Sequence, residues 1–434
     1  MNKAIVFSFF LFVSLLPSLA AETLIGGQGE INGRIMIQPE NFLGSELGWD
    51  TVIGPSFNVD SEYFDFFSQI VLAYRNGGDA PTVSIDVLYL VFDPWSFLKI
   101  KLGRFNYLPG MAAFLSCTNY FARLDYEKLL SGRIDKTLLP NDMLQVGWFL
   151  SDFYLLLTTA PFVGKSSLPK TDSPWFPDKD LPKSITVFFP VAQTIYLENT
   201  VLQEPEEYRP DLHRVSVSAE LGGSLSFLDF AVMFYHGNDY SLLVKAAFDF
   251  SGGLDKYDII LTPVTRIIDV FGLSLAADLG PFTFWEDTSF TLSKMFLTNR
   301  LSSDAVETAL ASAPFLESCV GFTYTPSFLD LTCVLEYKEN WILSADQGLL
   351  EPAFGSVLMA MVQVDFFENR LSPVVTWIES LNDHSRVIEL RLYYRPSLEL
   401  EVALSAPVFL GEPRSEIGQF RDNHLLSCGV TWRF

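Results

Sequence analysis

Three observations predict an all-β chain folded as a transmembrane antiparallel β-barrel of about 18 strands, with 16 as the alternative count. The chain is apolar without a membrane-length helix. Its apolar residues recur at every second position. Its connections fall into two length classes. Of its 434 residues 49% are hydrophobic and 19% charged, below the roughly 25% charged of ordinary soluble proteins, and the mean hydropathy is +0.24. Past residue 20 no stretch approaches the roughly 18 uninterrupted apolar residues of a membrane helix. With 39 Phe, 16 Tyr and 8 Trp the chain is too rich in aromatic residues to stay disordered.

The first 20 residues read as a secretory signal: Lys3 supplies positive charge, Ala4 to Leu16 an apolar-rich core, and Ser18-Leu19-Ala20 a small-x-small cleavage site. The mature chain then starts at Ala21, and residues 21–434 read as a single barrel domain. The strands fall at 31–38, 50–60, 63–76, 81–92, 97–106, 142–150, 153–160, 212–221, 225–236, 256–278, 282–296, 314–325, 328–338, 355–366, 371–380, 386–395, 398–406 and 422–434. An even number suits a bacterial single-chain barrel.

Each assignment rests on a period of two. In the last strand Leu426, Cys428, Val430, Trp432 and Phe434 alternate with Leu425, Ser427, Gly429, Thr431 and Arg433. Ile388, Leu390, Leu392 and Tyr394 alternate with Val387, Glu389, Arg391 and Tyr393, and Leu398, Leu400, Val402 and Leu404 with Glu399, Glu401, Ala403 and Ser405. Lipid should meet Ile388, Leu390, Leu392, Leu400, Val402, Val430 and Trp432. Short turns are expected at Asp93 to Ser96, Ser151-Asp152, Gly222 to Ser224, Leu279 to Pro281, Pro326-Ser327 and Pro396-Ser397. Long connections lie at Tyr107 to Pro140, Phe162 to Asp211, Leu297 to Ala313 and Asn340 to Phe354. With both chain ends on one side, every short turn falls on the periplasmic rim, as in a membrane barrel.

The closing segment CGVTWRF resembles the last strand of bacterial outer-membrane β-barrel proteins, which end in an aromatic residue preceded by apolar residues at alternate positions. Leu98 to Gly110 (LKIKLGRFNYLPG) resembles the strand-to-loop passage of porin-like channels. The resemblance implies a bacterial outer-membrane location, contact with outer-membrane lipid, and recognition of Trp432 and Phe434 by the barrel-assembly machinery. It also implies an early long loop folded into the pore.

A barrel of this size leaves a water-filled lumen unless something plugs it, so function rests on inward side chains. The expected pore-lining residues are Lys99, Lys101, Arg214, Glu220, Asp330, Glu336, Lys338, Glu389, Arg391, Glu399 and Glu401. Across a tight last turn Arg391 should face Glu401. The bland alternative is that these groups only wet or brace the wall. The stretch 107–140 is oddly apolar for a loop, which points to an inward constriction or an interface. Its charged residues Arg123, Asp125, Glu127, Lys128, Arg133, Asp135 and Lys136 are the constriction candidates. The Pro-rich, acidic stretch 162–211 reads as a long extracellular loop.

The formal charge is −23 and becomes −24 once Lys3 is removed with the signal. That excludes a nucleic-acid partner, whose phosphates need a basic surface, and favours cations at the mouth. Cys117, Cys319, Cys333 and Cys428 are spaced too widely for a stapled scaffold or a zinc site and read as packing residues. His213, His236, His384 and His424 fall at the outer rim with no nucleophile motif beside them, so neither enzyme activity, cofactor nor metal is expected. The functional expectation is a channel for passive diffusion of small hydrophilic solutes or ions, cation-preferring. The alternatives are a carrier for hydrophobic solutes such as fatty acids and a structural or adhesive surface barrel. The sequence leaves the oligomeric state open.

Overall fold

The computed structural model describes residues 22–37, 47–60, 64–75, 82–126, 137–162, 166–169, 173, 175–176, 184–188, 192–203, 214–241, 243–249, 256–301, 308–326, 328–343 and 348–433. The signal segment, Phe434, His213 and the constriction candidates Glu127, Lys128, Arg133, Asp135 and Lys136 lie outside them.

Eighteen of the described strands form one sheet. In chain order they are β1 (Glu22–Ile37), β2 (Leu47–Asp60), β3 (Phe64–Arg75), β4 (Thr82–Trp95), β5 (Leu98–Phe105), β6 (Asn141–Leu150), β7 (Phe153–Ala160), β8 (Ser216–Leu225) and β9 (Leu228–Asn238). There follow β10 (Ile267–Leu279), β11 (Phe282–Leu301), β12 (Thr308–Tyr324), β13 (Leu331–Ile342), β14 (Phe354–Val364), β15 (Leu371–Ser380), β16 (Arg386–Tyr394), β17 (Leu400–Leu410) and β18 (His424–Arg433). Each pairs antiparallel with the next. β1 pairs both with β2 and with β18, from Gln28↔Arg433 to Ile37↔His424. That last ladder closes the ring and leaves no free sheet edge, which a strand wall in hydrocarbon requires.

The two faces of the wall differ. On β8, Ser216, Ser218 and Glu220 are buried while Val217 and Leu221 are exposed. On β9, Ala231, Met233 and Tyr235 are buried against exposed Val232 and Phe234. In a closed ring the covered face is the inside. The outside therefore carries the apolar belt, including Leu390, Val430 and Trp432, all exposed to the surroundings. Burial of this belt in lipid rewards the wall at about 25 cal/mol per Å2. Aromatic rings gather at the turn rim, where Trp95 stacks on Phe97 at 5.8 Å and Phe282 on Tyr324 at 4.6 Å. Such girdles mark a membrane interface. At Gly103, φ is +136°, and a Cβ there would run into the carbonyl of Leu88 and the Cα of Tyr89. Only glycine allows β4 and β5 to close at that point.

The structure corrects four expectations. The stretch 256–278 is not one strand: Lys256–Pro263 leaves the wall for a separate sheet, and only Ile267–Leu279 belongs to the barrel. A long apolar run carries no mark of where it leaves the wall. β11 and β12 continue to Leu301 and from Thr308, so the connection expected over Leu297 to Ala313 is mostly strand. β8 runs on to Leu225, and the turn sits at Ser226, whose φ is +62°, rather than at Gly222 to Ser224. Arg391 pairs with Ser405 rather than Glu401, because the turn between β16 and β17 takes five residues and shifts the register.

Above the loop rim, Ser184–Phe188, Ala192–Leu202, Lys256–Pro263 and Val244–Asp249 form a second, four-stranded sheet. It joins the connections after β7 and after β9. Tyr257, Ile259 and Leu261 are its core, with Phe176 packed on them.

Candidate functional site

The interior is organised by the connection after β5. Phe105, Phe121, Met143, Tyr235, Ile268 and Val270 form its base, a buried cluster on the inward faces of β5, β6, β9 and β10. Tyr235 stacks on Tyr120 at 5.5 Å and meets Phe121 edge-on at 5.1 Å. The hydroxyl of Tyr107 donates to Glu220, which also accepts from Tyr154 at 2.7 Å. Tyr120 bonds Ser289 at 2.6 Å. Burial, followed by the Glu220 charge, pushes the Tyr107 hydroxyl pKa far up, so it stays a donor.

Beyond this base the loop lies along the inner wall, tethered through its own backbone. Asp287 of β11 accepts the N–H groups of Met111 and Ala112 at 2.9 and 3.1 Å. Glu336 of β13 accepts those of Ala113, Phe114 and Leu115, at 2.7 Å from Ala113 and 2.8 Å from Leu115. Both carboxylates are fully buried. Hydrogen bonds to a charged acceptor are the strong kind, about 1.5–3 kcal/mol each. Gly110, with φ +104°, makes the turn into this cradle, and a Cβ there would strike Thr118 and Asp287. Cys117 is buried beside it, and burial pushes its thiol up to about 12. It is therefore a packing group rather than a nucleophile.

The tethers place the described residues 107–115 against β8, β11 and β13. The pore-side stretch 107–122 carries no charge, and Leu108 and Phe114 stand exposed. Of the charged loop candidates, Arg123 is turned back to the Pro140 carbonyl. Asp125 sits where the backbone pairs with Thr137 and Ser167. Neither belongs to the stretch tethered by Asp287 and Glu336.

Of the pore-lining candidates, Lys99, Lys101, Glu220, Glu336, Lys338, Glu389, Arg391 and Glu401 stand at inward register positions. Most are paired. Lys338 meets Glu317 at 3.0 Å and Lys99 meets Asp93 at 3.6 Å. Glu389 holds Arg391 at 2.7 Å and the Ser405 hydroxyl at 2.6 Å. Glu401 holds Arg395 at 2.8 Å. The Lys101 ammonium lies 4.1 Å from the ring centre of Tyr89 and 4.2 Å from that of Phe105, a cation–π contact. Asp330 and Glu399 sit in short turns, and Arg214 precedes β8, so these three are outside the strands. His236 faces outward, bonded to Asp269 at 2.7 Å. His424 meets the Phe409 N–H, and His384 is exposed in the turn after β15.

Sequence reasoning missed Asp287, which shares its inward face with Trp285, Ser289 and Thr291; a carboxylate on the wetted face of a strand was the available signal. It also missed Trp175. This residue follows β7, yet it is buried against Phe409 of β17 and Phe420, with Val387 and Ile417 around them. Its rings lie 5.5 Å from Phe409 and 6.0 Å from Phe420. β7 and β17 stand on opposite sides of an 18-strand ring. The connection after β7 therefore spans the mouth as a strap, with Trp175 seated on the far wall and Phe176 on the four-stranded sheet.

A closed barrel with an apolar outer belt, a polar inner face and an inward-folded loop is a transmembrane β-barrel of porin-like build. No protein-family model matches the chain, and no curated protein does. Among solved structures, a mutant of the Rh. blastica porin is 10% identical, covering 95% of this chain and 100% of its own, with a TM-score of 0.41. A structure described as "Asymmetric conductivity of engineered proteins" is 11% identical over the same shares, with a TM-score of 0.42. At such scores the barrel stands on its own closed ladder.

Proposed function

We propose that the protein is a bacterial outer-membrane channel for passive diffusion of small hydrophilic solutes and ions, with a preference for cations. The observation that carries this reading is the backbone tether of residues 111–115 to Asp287 and Glu336. It holds residues 111–115 against the inner wall, and on this reading the loop narrows the lumen there. Lys99, Lys101, Glu220, Lys338, Glu389, Arg391 and Glu401 line the remaining water path. On this reading residues 1–20 direct export and are removed, Trp432 and Phe434 present the chain to the assembly machinery, and 162–211 faces the cell exterior. The cation preference follows from the acidic excess of the chain and from carboxylates such as Glu351, Glu416 and Asp383 in the connections at the mouth.

Planar-bilayer recording of the refolded protein tests both parts. Steady conductance with a reversal potential toward cation selectivity under a salt gradient is expected. A folded barrel without conductance removes the channel, and anion selectivity removes the preference. The selectivity should also depend on pH. Burial, and then the charge of Asp383, raises the Glu416 carboxyl above its ordinary pKa. Burial raises Glu351 too, with Lys294 opposing and Asp239 and Glu416 adding to the shift. A raised carboxyl takes its proton at higher pH. Cation selectivity should therefore start to fall on acidification before pH reaches the ordinary carboxylate range, and return on raising pH. A reversal potential flat down to that range contradicts the role of these two groups.

A further inference from the structure

Trp285 of β11 is 6% exposed, and its indole N–H is buried without a hydrogen-bond partner. A buried indole ordinarily finds an acceptor for that N–H, and leaving a buried donor unpaired is costly. The register shows what it serves. Trp285 stands opposite Gly321 of β12, and Gly321 stands opposite Glu336 of β13. Directly paired residues share a face of an antiparallel sheet, so the three form one inward row. A Cβ built on Gly321 would lie 2.8 Å from the indole Nε1 and 2.9 Å from Cε2. The N–H edge of the ring therefore overlies Gly321, on the way from β11 to Glu336, and a side chain at 321 would take its place.

The same row passes beneath the loop tether. Residues 111 and 112 are held by Asp287 on β11 and residues 113–115 by Glu336 on β13, so the loop crosses β12 beside Gly321. The hold on Glu336 depends on how its carboxylate is turned. Oε1 takes the N–H of Ala113 at 2.7 Å and Oε2 that of Leu115 at 2.8 Å, while the Phe114 N–H lies 3.2 Å from both oxygens. Rotation about the last side-chain bond would break this even division, and that torsion is a soft one. Lys338, the next inward residue on β13, is engaged with Glu317 at 3.0 Å. Trp285 does act on the Glu336 carboxylate, alongside the three loop N–H groups.

We propose that Trp285 is the positioning residue of the loop tether. Its indole N–H, reaching over Gly321, fixes the rotation of the Glu336 carboxylate so that both oxygens meet the backbone of residues 113–115. The ring supplies the floor under the loop and the N–H supplies the aim. The inference goes beyond the channel reading and rests on it only for any effect on current.

The test separates the N–H from the ring. One variant is Trp285→Phe. The other replaces the indole of residue 285 by benzothiophene, which puts sulfur where the N–H was at nearly the same shape. Each should raise the rate of chymotryptic cleavage at Phe114 and Leu115 about tenfold, in a barrel whose folded mobility on unheated gels is unchanged. In a Glu336→Ala background neither should add anything. The Trp285 N–H band, read by ultraviolet resonance Raman as the difference from Trp285→Phe, should shift in Glu336→Gln. A benzothiophene variant as resistant as the parent means that the ring acts by packing alone and overturns the inference. Effects that add to Glu336→Ala, or a band that does not move in Glu336→Gln, overturn it as well. None of these readouts needs current, so a folded barrel that passes no ions overturns the channel reading and leaves the positioning role standing.

Discussion

Trp175→Ala is expected to raise single-channel conductance severalfold and to replace steady current with frequent transitions. The indole is the strap's buried anchor on the far wall, packed on Phe409 and Phe420. Removing a buried Trp side chain costs about 3–5 kcal/mol. That cost falls on the attachment of a connection, because all the ring ladders are made without residue 175. The barrel should therefore keep its folded mobility on unheated gels while the strap detaches. Phe420→Ala, which removes the seat instead of the anchor, should act in the same direction. Unchanged conductance in both variants would mean that the strap does not obstruct the path.

The second large effect is expected from Glu336→Ala. One carboxylate accepts from three consecutive backbone N–H groups, and alanine leaves all three without it. Each orphaned donor costs about 1–3 kcal/mol while it stays buried, so the loop tip should leave the wall. Water then solvates the freed groups, and the narrowed lumen changes shape. Conductance noise should rise, and limited proteolysis near residues 111–115 should appear in a barrel that remains closed. Glu336→Gln keeps acceptor oxygen without charge and should give an intermediate effect. Asp287→Ala, which frees only Met111 and Ala112, should be milder alone and should add to Glu336→Ala. A quiet, protease-resistant Glu336→Ala channel would show that the tether does not set the loop's position.

The wall was legible because a membrane barrel repeats one local rule. Alternation along each strand tells which side chains meet lipid, and it placed Glu220, Glu336, Glu389 and Arg391 inside. It failed where a run continued beyond the wall, as at Lys256–Pro263, since a loop sheet over a mouth has the same period as a strand in the bilayer. It also failed on the Arg391 register, because the connection takes five residues where a tight turn was expected, and loop length fixes the register of a hairpin. The loop candidates were chosen by charge, yet the contact is made by uncharged backbone at residues 111–115. Backbone donors are present at every non-proline residue and so leave no mark in a sequence.

The sequence by itself determined the class of fold, a strand count of 18 or 16, and the inward or outward sense of most wall residues. These follow from a period of two and from the cost of exposing backbone groups or charge to lipid. Only the tertiary structure decided what happens inside. The tether of the loop to Asp287 and Glu336 and the crossing of the mouth by Trp175 join residues far apart in the chain. Each depends on ring closure and strand register, which bring opposite walls within reach of one connection.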